Sequence, residues 1–350
     1  MDETKILHVM ILDKFLAPFI DFVDKHFGRK NHHYVFITSE KYHYGLTPEH
    51  NVEFLHTDED IFITLHRYMK MAKKIILHGL WRDKVDILLC VNQALLKKCY
   101  WIIWGGDFYF PEKQTKIRHE VIKNIGNFIY GNEGDKQYII DHYGSKARAY
   151  KSFVYTSNFC IEQNFIKNRK DNFVNILVGN SATETNCHFE VFNKLAKHKQ
   201  KNIKIFVPLS YGNNQYAEDV ITYGEGIFHE KLIPLKNFMP FDKYVNFLNN
   251  MDIIIFGHNR QQGMSNLVIT LGFGKKVYMK TNTTHCELFK NLGIYTFDFN
   301  QEIDIGPINE LIKVNNILKI KDYFSEKTLL CQLELIFETK IEGPDESKIN

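Results

Sequence analysis

The sequence contains no apolar run approaching the roughly 20 residues that a bilayer-spanning helix needs. Its first residues, Met1-Asp-Glu-Thr-Lys, lack the charged-then-apolar layout of a secretion signal. Cysteines are few and scattered: Cys90, Cys99, Cys160, Cys187, Cys286 and Cys331, with no CxxC pair. That spacing argues against a zinc site and against a disulfide framework, and for reduced thiols in the cytoplasm. An excess of one charge is also missing. The 44 Lys and Arg against 41 Asp and Glu leave a net +3, which disfavours a dedicated nucleic-acid binder. Neither GxGxxG nor a Walker loop occurs, so a nicotinamide dinucleotide or a P-loop nucleotide is not expected, and no cofactor or metal is called for.

What is present is a chain of 350 residues, more than one compact core usually holds. Short apolar runs alternate with stretches of helical spacing. "KILHVMIL", "HYVFIT", "VEFLH", "KIILHGL" and "CYWIIWGGD" read as strands, with amphipathic helices such as "KFLAPFIDFVDKHF" and "DIFITLHRYMKMA" between them. A second series starts near Asn172 with "VNILVGNS", "IKIFVPLSYG" and "MDIIIF". Strands separated by helices imply parallel pairing. The expected fold is α/β, with two Rossmann-like lobes facing a cleft. The expected division is 1–155, 156–320 and a C-terminal helix and tail over 321–350, packed back on the first lobe. The join falls near Lys151–Lys170, with the polar "RKDNF" as connector and "IEGPDESKIN" as a frayed end.

Ligands of parallel sheets bind at the carboxyl ends of the strands. The loops to inspect are therefore "HGLW", "WGGDFY", "GNSATETN", "PLSYGNN" and "GHNRQQG". In "LVGNSATETNCH" a strand gives way to Gly179, Asn180 and Ser181 just before a helix start, where backbone N–H groups can hold an anion. An ordinary capped turn would use the same residues. The run "NLVITLGFG" is too apolar for a surface helix, yet its start carries Arg260, Gln261, Gln262, Gly263 and Asn266. A polar helix mouth with an arginine beside it suits a diphosphate. In the first half, Asp107 of "WGGD" is a candidate general base for an acceptor hydroxyl, and His78 of "LHGL" is a second. Turn formation and structural hydrogen bonding are the competing roles. Asp58 and Asp60 have the Asp-x-Asp spacing of a metal site but sit where a helix begins, as capping residues do.

Taken together, "WIIWGGDFY", "ILVGNSATETNCH", "VPLSYGNNQYAEDV" and "RQQGMSNLVITLGFGKKVYM" resemble the bacterial 4-acetamido-4,6-dideoxy-D-galactosyltransferases, the TDP-N-acetylfucosamine:lipid II N-acetylfucosaminyltransferases. The likeness runs from about His78 to Phe297. It implies an inverting, metal-independent glycosyltransferase of the two-lobe GT-B architecture, acting in the synthesis of a surface polysaccharide such as enterobacterial common antigen. It further implies a dTDP-sugar donor, or a UDP-sugar, lined by Gly179, Asn180, Ser181, Tyr211, Gly212, Arg260, Gln261, Gln262 and Gly263. The implied acceptor is an undecaprenyl-diphosphate-linked oligosaccharide at the inner face of the cell membrane. The basic, aromatic segment Phe22–Tyr34 is a candidate for touching anionic lipid there. A nucleotide-sugar epimerase or hydrolase, and a non-catalytic nucleotide-sugar binder, are the alternatives that such a fold also serves.

Overall fold

Thirteen short strands build two parallel sheets in the computed structural model, which describes residues 1–161 and 172–338. Most of the proposed connector and the C-terminal tail lie outside the described residues. The first sheet contains β1 (Ile6–Met10), β2 (His32–Ile37), β3 (Glu53–Leu55), β4 (Lys74–His78), β5 (Cys99–Ile102), β6 (Asn127–Tyr130) and β7 (Arg148–Lys151). Its order is β3-β2-β1-β4-β5-β6-β7. The second sheet contains β8 (Val174–Val178), β9 (Ile203–Pro208), β10 (Leu232–Leu235), β11 (Ile253–Phe256), β12 (Lys276–Met279) and β13 (Phe297–Asp298), in the order β10-β9-β8-β11-β12-β13.

The strands of each sheet pair in parallel throughout. Helices cover their faces, so the central strands are buried along their whole length and read as continuous apolar runs. Every residue of β1, β4 and β11 is buried. One unit comprises Met1–Ser157 together with the helix Glu326–Glu338, and the other Asn158–Ser325. In each sheet the strand order reverses direction at one place, between β1 and β4 in the first and between β8 and β11 in the second. Connections leave to opposite faces there, which opens a crevice beyond the carboxyl ends of the two strands.

Basic residues of the Phe22–Tyr34 segment are tied down within the first unit. Lys25 and His26 lie 3.7 and 3.1 Å from Glu326, and Arg29 lies 3.4 Å from Asp24 while donating to the carbonyls of His32, His50 and Asn51. Phe22, Val23, His32 and Tyr34 are buried. The segment expected to offer a basic aromatic face therefore spends much of it on the protein's own core. Among the described residues no helix is long and apolar enough to cross a membrane.

Candidate functional site

The loops after β8 and β11 meet at the reversal point of the second sheet. Gly179 ends β8 with φ +69°, a conformation that side chains resist. A Cβ there would lie 2.6 Å from His188 Nε2 and 2.9 Å from Asn186 Oδ1, so only glycine fits. The chain then turns around Asn186, which is fully buried. Its Oδ1 accepts the Asn180 N–H at 2.9 Å and faces His258 Nε2 at 3.0 Å. Its amide nitrogen donates to Ser181 Oγ at 3.2 Å and to Thr183 Oγ1 at 2.7 Å. A backbone N–H can only donate, which makes Oδ1 the acceptor and obliges His258 to carry its proton on Nε2. Burial holds His258 well below the usual histidine range, so this ring is neutral.

The loop after β9 closes the other side. Ala182 pairs with Gly212, whose φ is +115° and whose missing Cβ leaves room for the Ala182 carbonyl. The half-exposed Tyr211 accepts a hydrogen bond from Asn180 Nδ2 at 3.1 Å. From the β11 side, Gln262 donates to Asn180 Oδ1 at 3.1 Å and accepts from Thr185 Oγ1 at 2.6 Å. Gly263 then starts the helix Met264–Gly272 in a left-handed conformation, with no side chain capping its first turn. The N–H groups of that turn lack intrahelical partners, and the helix dipole adds positive potential to them. Below the mouth, Leu267 to Leu271 are all buried, as the apolar run predicts.

Gly179, Asn180, Ser181, Tyr211, Gly212, Gln262 and Gly263 thus fall into one connected cluster. Arg260 and Gln261 sit on the same loop, partly exposed, with Arg260 Nη1 donating to the Gln261 carbonyl at 3.0 Å. Asn266 turns its side chain to the Tyr244 hydroxyl. Asn186, Thr185 and His258 were not singled out from the sequence. His258 opens the quoted GHNRQQG loop, but its contact with Asn186 spans 72 positions and leaves no local pattern.

The two first-unit candidates sit deeper than expected. Asp107 is fully buried, and its carboxylate accepts from Leu80 N at 3.0 Å, Trp101 Nε1 at 2.8 Å and Trp104 N at 3.0 Å. Burial raises its pKa against the pull of these donors. The visible work of this side chain is to fasten the loop after β4 to the loop after β5. His78 is 1% exposed, and both ring nitrogens are engaged, Nε2 with His8 Nδ1 at 3.1 Å and Nδ1 with the Tyr155 hydroxyl at 2.9 Å. The chain continues from His8 Nε2 to His32 Nδ1 at 2.9 Å. Burial pushes His78 down to about 3, so it is neutral at physiological pH. Neither group offers a free atom to a substrate hydroxyl.

Of the acidic pair, Asp60 accepts from the His56 and Thr57 N–H groups at a helix start, and Asp58 pairs with Lys84. No group of three or more His, Cys, Asp or Glu side chains is placed to hold a metal ion among the described residues.

Comparison with known proteins decides the family. The family described as 4-alpha-L-fucosyltransferase, glycosyl transferase group 56, matches residues 12–304. The chain belongs to this family. It is a nucleotide-sugar-dependent glycosyltransferase, and the epimerase, hydrolase and non-catalytic readings give way to that. Solved structures agree on the fold. A glycosyltransferase from Rickettsia africae ESF-5 is 11% identical, with TM-score 0.68 over 95% of this chain and 98% of that one. Anabaena HepE, crystallised with UDP and glucose, is 11% identical, with TM-score 0.64 over 97% and 96%. WaaG, a glycosyltransferase involved in lipopolysaccharide biosynthesis, is 9% identical, with TM-score 0.63 over 97% and 100%. The group 56 chain therefore has the GT-B architecture of two Rossmann-like units.

Proposed function

We propose that the second unit binds a dTDP-sugar, with a UDP-sugar as the variant, and that the enzyme transfers a 4-acetamido-4,6-dideoxyhexose with inversion to an undecaprenyl-diphosphate-linked oligosaccharide. The observation that carries this reading is the uncapped start of the helix Met264–Gly272 at the reversal point of its sheet. The backbone N–H groups of its first turn would receive the diphosphate, and Gly263 keeps the approach open. Asn180, Gln262 and Tyr211 would fix the donor's orientation from the rim.

In this reading the charge that builds on the departing nucleoside diphosphate is met by the helix start and by Arg260 rather than by a metal ion. The resemblance to the dideoxygalactosyltransferases supports the sugar and the lipid-linked acceptor. The UDP complex of Anabaena HepE supports a pyrimidine nucleotide. A lipid-linked acceptor would hold the enzyme peripherally at the inner face of the cell membrane.

A thermal-shift panel of dTDP, UDP, GDP, CMP and NAD, each with and without EDTA, tests the donor assignment. A ligand at a hundred times its Kd stabilises the folded state by about 2.7 kcal/mol. A rise with dTDP or UDP that EDTA leaves unchanged is the expected result. No shift with any nucleotide, or a shift only with added metal, overturns the donor site and returns attention to Asp58 and Asp60.

A further inference from the structure

The ring of His258 lies under the mouth of the helix Met264–Gly272. A Cβ on Gly263, the residue that opens this helix, would stand 3.4 Å from its Cε1. His258 is fully buried and stacks on Phe256 with centroids 4.7 Å apart. Its Nε2 is engaged by Asn186 Oδ1 at 3.0 Å. Its Nδ1 is buried and has no hydrogen-bond partner among the described residues. An enclosed nitrogen left unpaired beside a candidate anion site is uncommon and calls for an explanation.

The Gln262 backbone favours the protonated form of this ring. A backbone group that does so by hydrogen bonding is a carbonyl, and with Nε2 held by Asn186 that carbonyl serves Nδ1. In the neutral ring Nδ1 carries a lone pair, so the two acceptors meet and no bond forms. A proton on Nδ1 turns the same approach into a hydrogen bond. Both nitrogens then donate, one to Asn186 and one to Gln262. The surroundings suit a charged ring, yet burial keeps it neutral.

The ionisable neighbours that weigh most on His258 are His285, Arg260 and His188. His285, on the helix Thr284–Asn291, stands with its centroid 6.3 Å away and both its nitrogens unpartnered. His188, which begins the helix His188–Leu195, pairs its Nδ1 with the Tyr216 hydroxyl at 3.1 Å. Burial keeps both of these rings neutral. Arg260 is permanently positive. All three oppose a charge on His258, and no carboxylate stands among them. A bound diphosphate reverses that balance, because it brings negative charge to the helix mouth and displaces the water that would screen it.

We propose that His258 takes up a proton from solvent when the donor's diphosphate binds, giving the site a second cation beside Arg260 only while it is occupied. The proposal rests on the donor reading above. The proton bonds to the Nδ1 lone pair and returns to solvent when the nucleotide leaves. His258 does not touch the ligand. It acts through the Gly263 turn and the field beneath it, and is a positioning residue.

The test is isothermal titration of the full chain with dTDP-glucose, and with UDP-glucose in parallel, at pH 6 and pH 7.5 in buffers of different ionisation enthalpy. The phosphates of these ligands are ionised throughout, so any proton exchanged belongs to the protein. Uptake of about one proton per ligand is expected at pH 6, with affinity tightening by up to about tenfold per pH unit as pH falls toward 6. His258→Gln keeps a donor for Asn186 but cannot titrate. It should bind without proton uptake and with an affinity that does not change with pH. If that variant misfolds, the wild-type titrations in the several buffers carry the test alone. Wild-type binding with no proton uptake overturns the proposal, as does equal uptake in the variant, which would move the proton to His188 or His285. A wild-type protein that binds neither ligand in any buffer fails earlier, at the donor reading itself.

Discussion

Gln262 donates its side-chain amide to Asn180 Oδ1 at 3.1 Å, one of several bonds that join the loop after β11 to the loop after β8. The amide cannot be flipped without loss, because Thr185 Oγ1 donates to its oxygen at 2.6 Å. Two loops 82 positions apart are thereby set to one geometry at the mouth of the helix Met264–Gly272.

Gln262→Ala removes both bonds from a partly exposed site. The expected effect is a roughly tenfold loss of nucleotide affinity, with folding stability lowered by only about 1 kcal/mol. Isothermal titration with dTDP alongside urea unfolding separates the two. Unchanged affinity would show that the bridge does not shape the donor site.

Arg260→Ala should leave the fold intact and lower turnover by about 10²–10³-fold, the loss typical of a charge-stabilising donor. Steady-state kinetics at saturating donor reads it. Turnover equal to wild type would remove Arg260 from the mechanism.

Gly179 and Gly263 have nearly the same backbone, φ +69° and +68°, but different surroundings. An alanine Cβ at Gly179 would press on His188 Nε2 at 2.6 Å, whereas at Gly263 the nearest atoms stand at 3.4 and 3.5 Å. Gly263→Ala should therefore cost about 1–2 kcal/mol for the left-handed conformation alone, and Gly179→Ala clearly more. Melting temperatures of the two variants check the order, and a reversed order would contradict the packing around Asn186.

Six histidines are buried and neutral. His78 and His285 are pushed down to about 3, His32 and His188 to about 4, and His8 and His258 well below their usual value. Burial is the leading cause throughout. The unfolded chain takes up protons near pH 6.5 while the folded chain does not, so stability is complete above that pH and falls as pH drops toward 4. At pH 5 each ring withdraws about 2 kcal/mol. The melting temperature should fall by about 10 °C or more between pH 7 and pH 5. A flat profile across that window would mean that these rings are not buried as described.

Much of this was legible from the residues. The strands flanking each reversal point, ILHVM, KIILH, VNILV and IIIF, are mostly apolar, so their parallel pairing and working ends could be read directly. "NFIY", "RAYK" and "LIPL" are not read as strands from the sequence, since each is short and interrupted by polar residues or proline, the second carrying two charges. Asp107 reads as an exposed loop acid, since nothing local reveals that a tryptophan and two backbone N–H groups close over it. Asn186 and His258 need the folded sheet before they meet.

The helix Glu326–Glu338 completes the first unit, although it lies far along the chain. Its Ile336 carbonyl accepts from the buried Lys74, its Gln332 accepts the Phe153 N–H at 3.1 Å, and Phe337 packs on Phe27 and His32 with centroids 5.0 Å from each. During synthesis the first sheet leaves the ribosome early but waits for this helix before Lys74 and His32 can be covered. The unit made first is finished last, and a nascent chain cut short before Glu326 would carry an open core however well its strands had paired.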